Sequence, residues 1–157
     1  ELPREQVLSG AVIGARECSE YGKYVAKEIG KKPREELKDE KIAEIEEYDA
    51  SPAVNEFFIG NQSLWLDKDT RTGLNFSLQM EEAAGRTEST LWYDPIHFTL
   101  PISVFKNMMI AVELYAKDCY NITAQHKLNV MNLTTKEEVI AYDYTTGYPE
   151  KLSFTLN

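Results

Sequence analysis

The sequence predicts an α+β fold: N-terminal helices, two β-hairpins each leading into a helix, one long core helix, then a short C-terminal helix and strand. Three observations predict it. Apolar residues recur at helical spacing over several long stretches. Two pairs of short apolar runs each bracket a turn-forming pair. Proline, glycine and aspartate stand where the period changes, at positions that start or stop helices.

Residues 4–29 come first. Leu8, Ala11, Ala15, Cys18, Gly22, Val25 and Ile29 step by three and four, the spacing of a helical seam. The seam is built of small residues, so a neighbouring helix could approach closely. Gly10, Gly14 and Gly22 lower helix propensity, so the helix needs a partner. Two readings stand side by side. Leu8, Ala11, Ala15, Cys18, Val25 and Ile29 form an oligomer seam, or the stripe packs on its own domain. Gly30 suits a helix end and Pro33 the first turn of the next helix. The domain boundary is expected here, with 1–32 as an oligomerisation segment and 33–157 as the α+β domain.

A second helix is expected from about Pro33 to Tyr48, with Leu37, Ile42 and Ile45 on one side and charge elsewhere. Val54 to Ile59 and Gln62 to Leu66 flank Gly60-Asn61 as a hairpin. Asp67 and Asp69 are N-cap candidates for a helix through Ala84, with Leu74, Leu78, Met80 and Ala84 on its buried face and Gly85 at its end. Ser89 to Tyr93 and Ile96 to Leu100 flank Asp94-Pro95 as a second hairpin. Pro101 then opens a helix over 102–131, where Phe105, Met108, Met109, Val112, Tyr115, Ala116, Cys119, Ile122 and Val130 follow helical spacing. Thr134-Thr135-Lys-Glu-Glu carries a capping-box signature for a helix reaching about Tyr142. Gly147 and Pro149 make a turn, and Leu152 to Leu156 a last strand.

The chain has 157 residues, enough for one compact domain with an extra terminal segment, and its 43% hydrophobic content suffices for a core. Seventeen basic residues face 26 acidic ones, for a net charge of −9. Such a surface repels phosphate backbones and anionic lipid, so neither nucleic acid nor membrane is an expected partner. Cys18 and Cys119 do not resemble a disulfide framework and read as reduced, buried thiols. No run approaches the ~18 apolar residues that span a bilayer. The opening Glu1-Leu-Pro-Arg-Glu is not a signal peptide, and a truncated or processed chain is expected. Asn61, Asn75, Asn121 and Asn132 match the glycosylation acceptor pattern, but Asn75 and Asn121 fall inside helical patterns, where a glycan would be awkward.

Catalytic chemistry finds little footing. His97 lies in an alternating strand and His126 on the long helix, neither with a Cys or His at metal-ligand spacing, so both read as structural. Asp67 to Gly73 misplaces the glycine and lacks the terminal glutamate of a calcium loop. Glu81-Glu82 and Glu137-Glu138 are helix neighbours about 100° apart and form no acid/base dyad. No catalytic, metal or cofactor site is assigned. Trp65, Trp92 and Tyr93 are candidates for a partner surface, set against the commoner role of aromatics in the core.

From about Lys41 onward the order of pieces is similar to a known family. The matching text runs through Ile45-Glu-Glu-Tyr48-Asp49, Val54-Asn-Glu-Phe57-Phe58-Ile-Gly-Asn-Gln-Ser-Leu-Trp65-Leu-Asp67, Arg71 and Ala83-Ala84-Gly85-Arg86. It continues through Thr90-Leu-Trp92, Phe98-Thr-Leu-Pro101, Glu113-Leu-Tyr115-Ala116, Cys119 to Lys127 and Glu137 to Lys151. This resembles a domain of unknown function encoded in tail modules of phages and prophages, including those of gut anaerobes, among tail-fibre and tail-fibre-assembly genes. The resemblance covers about residues 41–157. It implies a non-enzymatic structural or assembly protein that binds other tail or fibre proteins, with homo-oligomers a further option. It also implies residence in the bacterial cytoplasm during assembly or in the virion tail. A carbohydrate- or receptor-binding module at a fibre tip is the alternative. The motifs are structural, and no catalytic residue is carried over.

Overall fold

The computed structural model describes residues 31–156. The helix expected over 4–29, with its seam of Leu8, Ala11, Ala15, Cys18, Val25 and Ile29, lies outside the described residues, and the expected boundary after residue 32 lies at their edge. The architecture is α+β. In chain order the elements are α1 (Arg34–Asp49), β1 (Phe57–Ile59), β2 (Gln62–Leu64), α2 (Lys68–Ala83), β3 (Glu88–Tyr93), β4 (Ile96–Pro101), α3 (Ile102–Asn132), α4 (Lys136–Ala141) and β5 (Ser153–Phe154). Among the described residues no helix is long and apolar enough to cross a membrane.

These residues divide into two compact units, one drawn from 31–41 and 133–142, the other from 42–132 and 143–156. The smaller unit is held by its caps. Of the two threonines that could cap α4, Thr135 does so: its hydroxyl accepts from Glu138 N at 3.2 Å. The Glu138 carboxylate accepts in turn from Thr134 N and Thr135 N, each at 3.1 Å. Those N–H groups hold the Glu138 carboxyl below its ordinary range. Arg34 donates to the Thr134 carbonyl, and Leu37 and Val139 are buried.

In the larger unit α3 is the spine. Its 31 residues extend about 46 Å, and Phe105, Met109, Val112, Cys119 and Val130 bury one side of it completely or nearly so. A three-stranded sheet, in the order β2-β1-β5, supplies Phe57, Ile59 and Leu64 to the same core. β1 runs antiparallel to β2 and parallel to β5. The β3–β4 ladder pairs Glu88 with Pro101 through Tyr93 with Ile96, and turns Leu91 inward. On its outer face the Thr90 and Thr99 hydroxyls bond at 2.8 Å.

Three expectations are corrected. The first strand begins at Phe57 rather than Val54, because residues 51–55 form a turn in which Asn55 adopts φ 71°; Asn tolerates this left-handed region better than most residues. The last strand shrinks to Ser153–Phe154. On α2, Leu78 is buried and Leu74 half-buried, but Met80 and Ala84 are exposed. Asp67 fixes the helix start by accepting from Thr70 N at 2.7 Å. The inward stripe therefore runs 71, 74, 78, and Met80 sits about 200° round the helix from Leu78.

That stripe buries Arg71. Its Nη1 donates to the Leu66 carbonyl at 2.6 Å and its Nε to Glu113 at 2.8 Å. A buried guanidinium is tolerable only with such partners. Arg71→Met should cost about 2–3 kcal/mol, read from the urea midpoint, because the Leu66 carbonyl is left unmatched. No loss would show that this bond contributes nothing.

Acid should also weaken the fold. Hydrogen bonds from Thr70 and Thr145 hold the Asp67 and Asp143 carboxyls below their ordinary range, as the Thr134 and Thr135 amides do for Glu138. Carboxyls lowered in the folded state stabilise it above their unfolded pKa, and that stability is lost as pH falls through the folded values. The urea midpoint should decline between about pH 5 and about pH 3, and less steeply in Asp67→Asn.

Candidate interaction surface

Trp65, Trp92 and Tyr93 do not form one surface. Trp65 is half-buried: its indole N–H donates to the Val54 carbonyl at 3.0 Å, and its backbone N–H donates to the Tyr93 hydroxyl at 3.3 Å. Tyr93 itself packs against the main core. Successive strand residues point to opposite faces, so Trp92 stands on the other side of β3. It is 68% exposed and stacks on His97, with centroids 4.4 Å apart and planes tilted by 32°. Two of the three aromatics thus brace the structure, and one is presented to solvent.

The second histidine serves the interior. His126 Nε2 lies 2.7 Å from the Thr146 carbonyl, a bond that its ring N–H makes as donor. One turn earlier, the Thr123 hydroxyl donates to Asp49 and bonds the Tyr148 hydroxyl, both at 2.7 Å. The Tyr48 ring meets those of Tyr144 and Tyr148. This cluster clasps the end of α1 and the C-terminal segment onto α3. Burial pushes the Tyr148 and Tyr115 hydroxyls up, and it pushes up the Cys119 thiol, which is fully buried. A thiol held neutral away from solvent is a poor nucleophile. Among the described residues, no group of three His, Cys, Asp or Glu side chains is placed to hold a metal ion.

The feature that sequence reasoning missed is the outer face of α3. Ile110, Leu114, Tyr120, Leu128 and Met131 are all more than half exposed, Leu114 at 63%. Ile110, Leu114, Lys117, Asn121, Ala124, Leu128 and Met131 step by four and three in strict alternation, the spacing of a packing seam. A groove of about 430 Å³ lies beside Ile110 and Leu114, walled by Asn75 and Gln79 of α2. Another of about 310 Å³ lies beside Leu128 and Met131, walled by Glu46 and Asp49 of α1. Ion pairs edge the face: Glu113 with Arg71, and Lys127 with Glu46 at 2.6 Å. The signal lay in the composition of α3, which is apolar on more faces than one core can use. Exposed apolar patches aligned on one helix face, here parted by Lys117 and Asn121, mark an interaction site.

No protein-family model, curated protein or solved structure matches this chain. The chemistry of its own surfaces therefore carries the functional reading.

The two tryptophans should separate in stability measurements. Trp65→Ala should cost about 3 kcal/mol or more, whereas Trp92→Ala should change stability by less than about 0.5 kcal/mol. Equal costs in urea titrations would contradict the assignment of one to packing and the other to the surface.

Proposed function

We propose that this chain is a non-enzymatic, phage tail-associated structural or tail-fibre-assembly protein that acts by binding protein. The observation that carries the binding part is the exposed seam of α3, where apolar patches at Ile110 and Leu114 and at Ala124, Leu128 and Met131 share one helix face on either side of Lys117 and Asn121. A helix-length apolar stripe with polar edges suits another helix better than a small molecule. The tail assignment is supported by the sequence resemblance over residues 41–157. Under it the partners are tail or fibre proteins, copies of this chain included, and the protein resides in the bacterial cytoplasm during assembly or in the virion tail. No cofactor is required.

A second reading rests on a different observation. The exposed Trp92–His97 stack offers a flat aromatic platform at a hairpin, suited to a sugar ring. A carbohydrate- or receptor-binding module at a fibre tip would use it. Glycan-array binding that vanishes in Trp92→Ala would favour this alternative.

The assembly reading is tested in a prophage carrying the gene. Leu114→Glu together with Leu128→Glu should abolish or sharply reduce tailed particles counted by electron microscopy, with the protein still expressed. Normal tails from that double variant would refute the reading.

A further inference from the structure

We infer that the outer face of α3 is a homotypic interface, on which α3 of a second copy packs antiparallel about a two-fold axis near residue 119. The inference rests on the protein-binding reading and names the occupant of the same face.

The seam is self-complementary in one register. Antiparallel pairing about residue 119 sets Ile110 against Leu128 of the second copy and Leu114 against Ala124 of the second copy. Ile110, Leu114 and Leu128 then each meet another residue of the seam, small Ala124 leaves room for Leu114, and Met131 falls opposite Asn107 at the end of the seam. The central layers set Lys117 against Asn121 of the second copy, where the amide oxygen can accept from the ammonium. The edges agree: Glu113 comes beside Lys127 of the second copy, twice by symmetry, and Tyr120 beside its own copy. Both charged groups already belong to ion pairs with Arg71 and Glu46, so the new pairs extend existing networks. One like-charge encounter, Asp118 with its own copy, falls next to the two lysines at 117.

Parallel pairing fails on the same residues. It would set Lys117 directly against Lys117 in a desolvated layer, a like-charge contact. The side chains needed for such contact are available: Ile110, Leu114, Tyr120 and Leu128 are each more than half exposed.

The test uses the full chain, in light scattering after size exclusion at about 50 μM. The wild type should run at twice its 18.0 kDa mass, and Leu114→Glu and Leu128→Glu should each run as monomers with unchanged circular dichroism. In a Cys18→Ser background, oxidation of mixed Lys117→Cys and Asn121→Cys chains should cross-link one variant to the other. A monomeric wild type overturns the inference. So does a dimer that survives both glutamates but not Ala15→Glu, which would place assembly on residues 4–29. Cross-links confined to like variants overturn it as well. A monomer whose double-glutamate variant still blocks tail formation removes only the homotypic interface; a dimer with normal tails removes only the tail reading.

Discussion

The larger unit depends on one helix meeting two surroundings at once. The inner side of α3 forms the wall against which β1, β2, β3 and α2 bury their apolar residues. Its outer side carries a second apolar stripe that the described residues of that unit leave exposed. A helix that is apolar on opposite sides is unstable as a free surface element, because only one side can be satisfied by its own core. Burying a large aliphatic side chain is worth about 1.5–3 kcal/mol, so the inner wall alone can set the fold. The outer stripe contributes only when something covers it.

Polar contacts decide where the flanking pieces lie on that spine. Arg71 ties the start of α2 to Leu66 and to Glu113 of α3. Thr123 and His126 gather Asp49, Tyr148 and the Thr146 carbonyl. The C-terminal segment is thereby brought back to β1, where Phe58 N donates to the Leu152 carbonyl and Gly60 N to the Phe154 carbonyl, at 2.9 and 2.8 Å. These directional bonds add modest stability each, but they select one arrangement of segments that hydrophobic burial would leave degenerate. The same clasp buries Cys119 and half-buries Tyr148, which raises the pKa of both groups.

Much of this was legible in the sequence, for local reasons. Pro101 and the nine apolar positions of α3 specify that helix without tertiary help. Asp94-Pro95 and Gly60-Asn61 place both hairpin turns, and Thr135 with Glu138 marks the start of α4. What escaped was non-local. A two-residue strand such as β5 has no period of its own, and its parallel pairing with β1 joins residues about 95 positions apart. Arg71 reads as a surface charge until Glu113 and the Leu66 carbonyl are seen to meet it. The outer stripe of α3 was hidden by the core stripe, since Ile110, Leu114 and Leu128 look like more of the same apolar helix. The tryptophans show a finer limit. Alternation with buried Leu91 turns Trp92 outward, a distinction lost when Trp65, Trp92 and Tyr93 are read together as one surface, and nothing local reveals that Trp65 reaches back to the Val54 carbonyl.

Assembly through α3 requires that its outer face become covered as the protein associates. Hydroxyl-radical footprinting at rising protein concentration measures this side chain by side chain. Leu114, Leu128 and Met131 should lose reactivity together as assembly proceeds. Met108 and Met109 should stay protected throughout, and Trp92 should stay reactive throughout. If Leu114, Leu128 and Met131 react equally at every concentration, the face remains open to solvent, and the central claim is wrong.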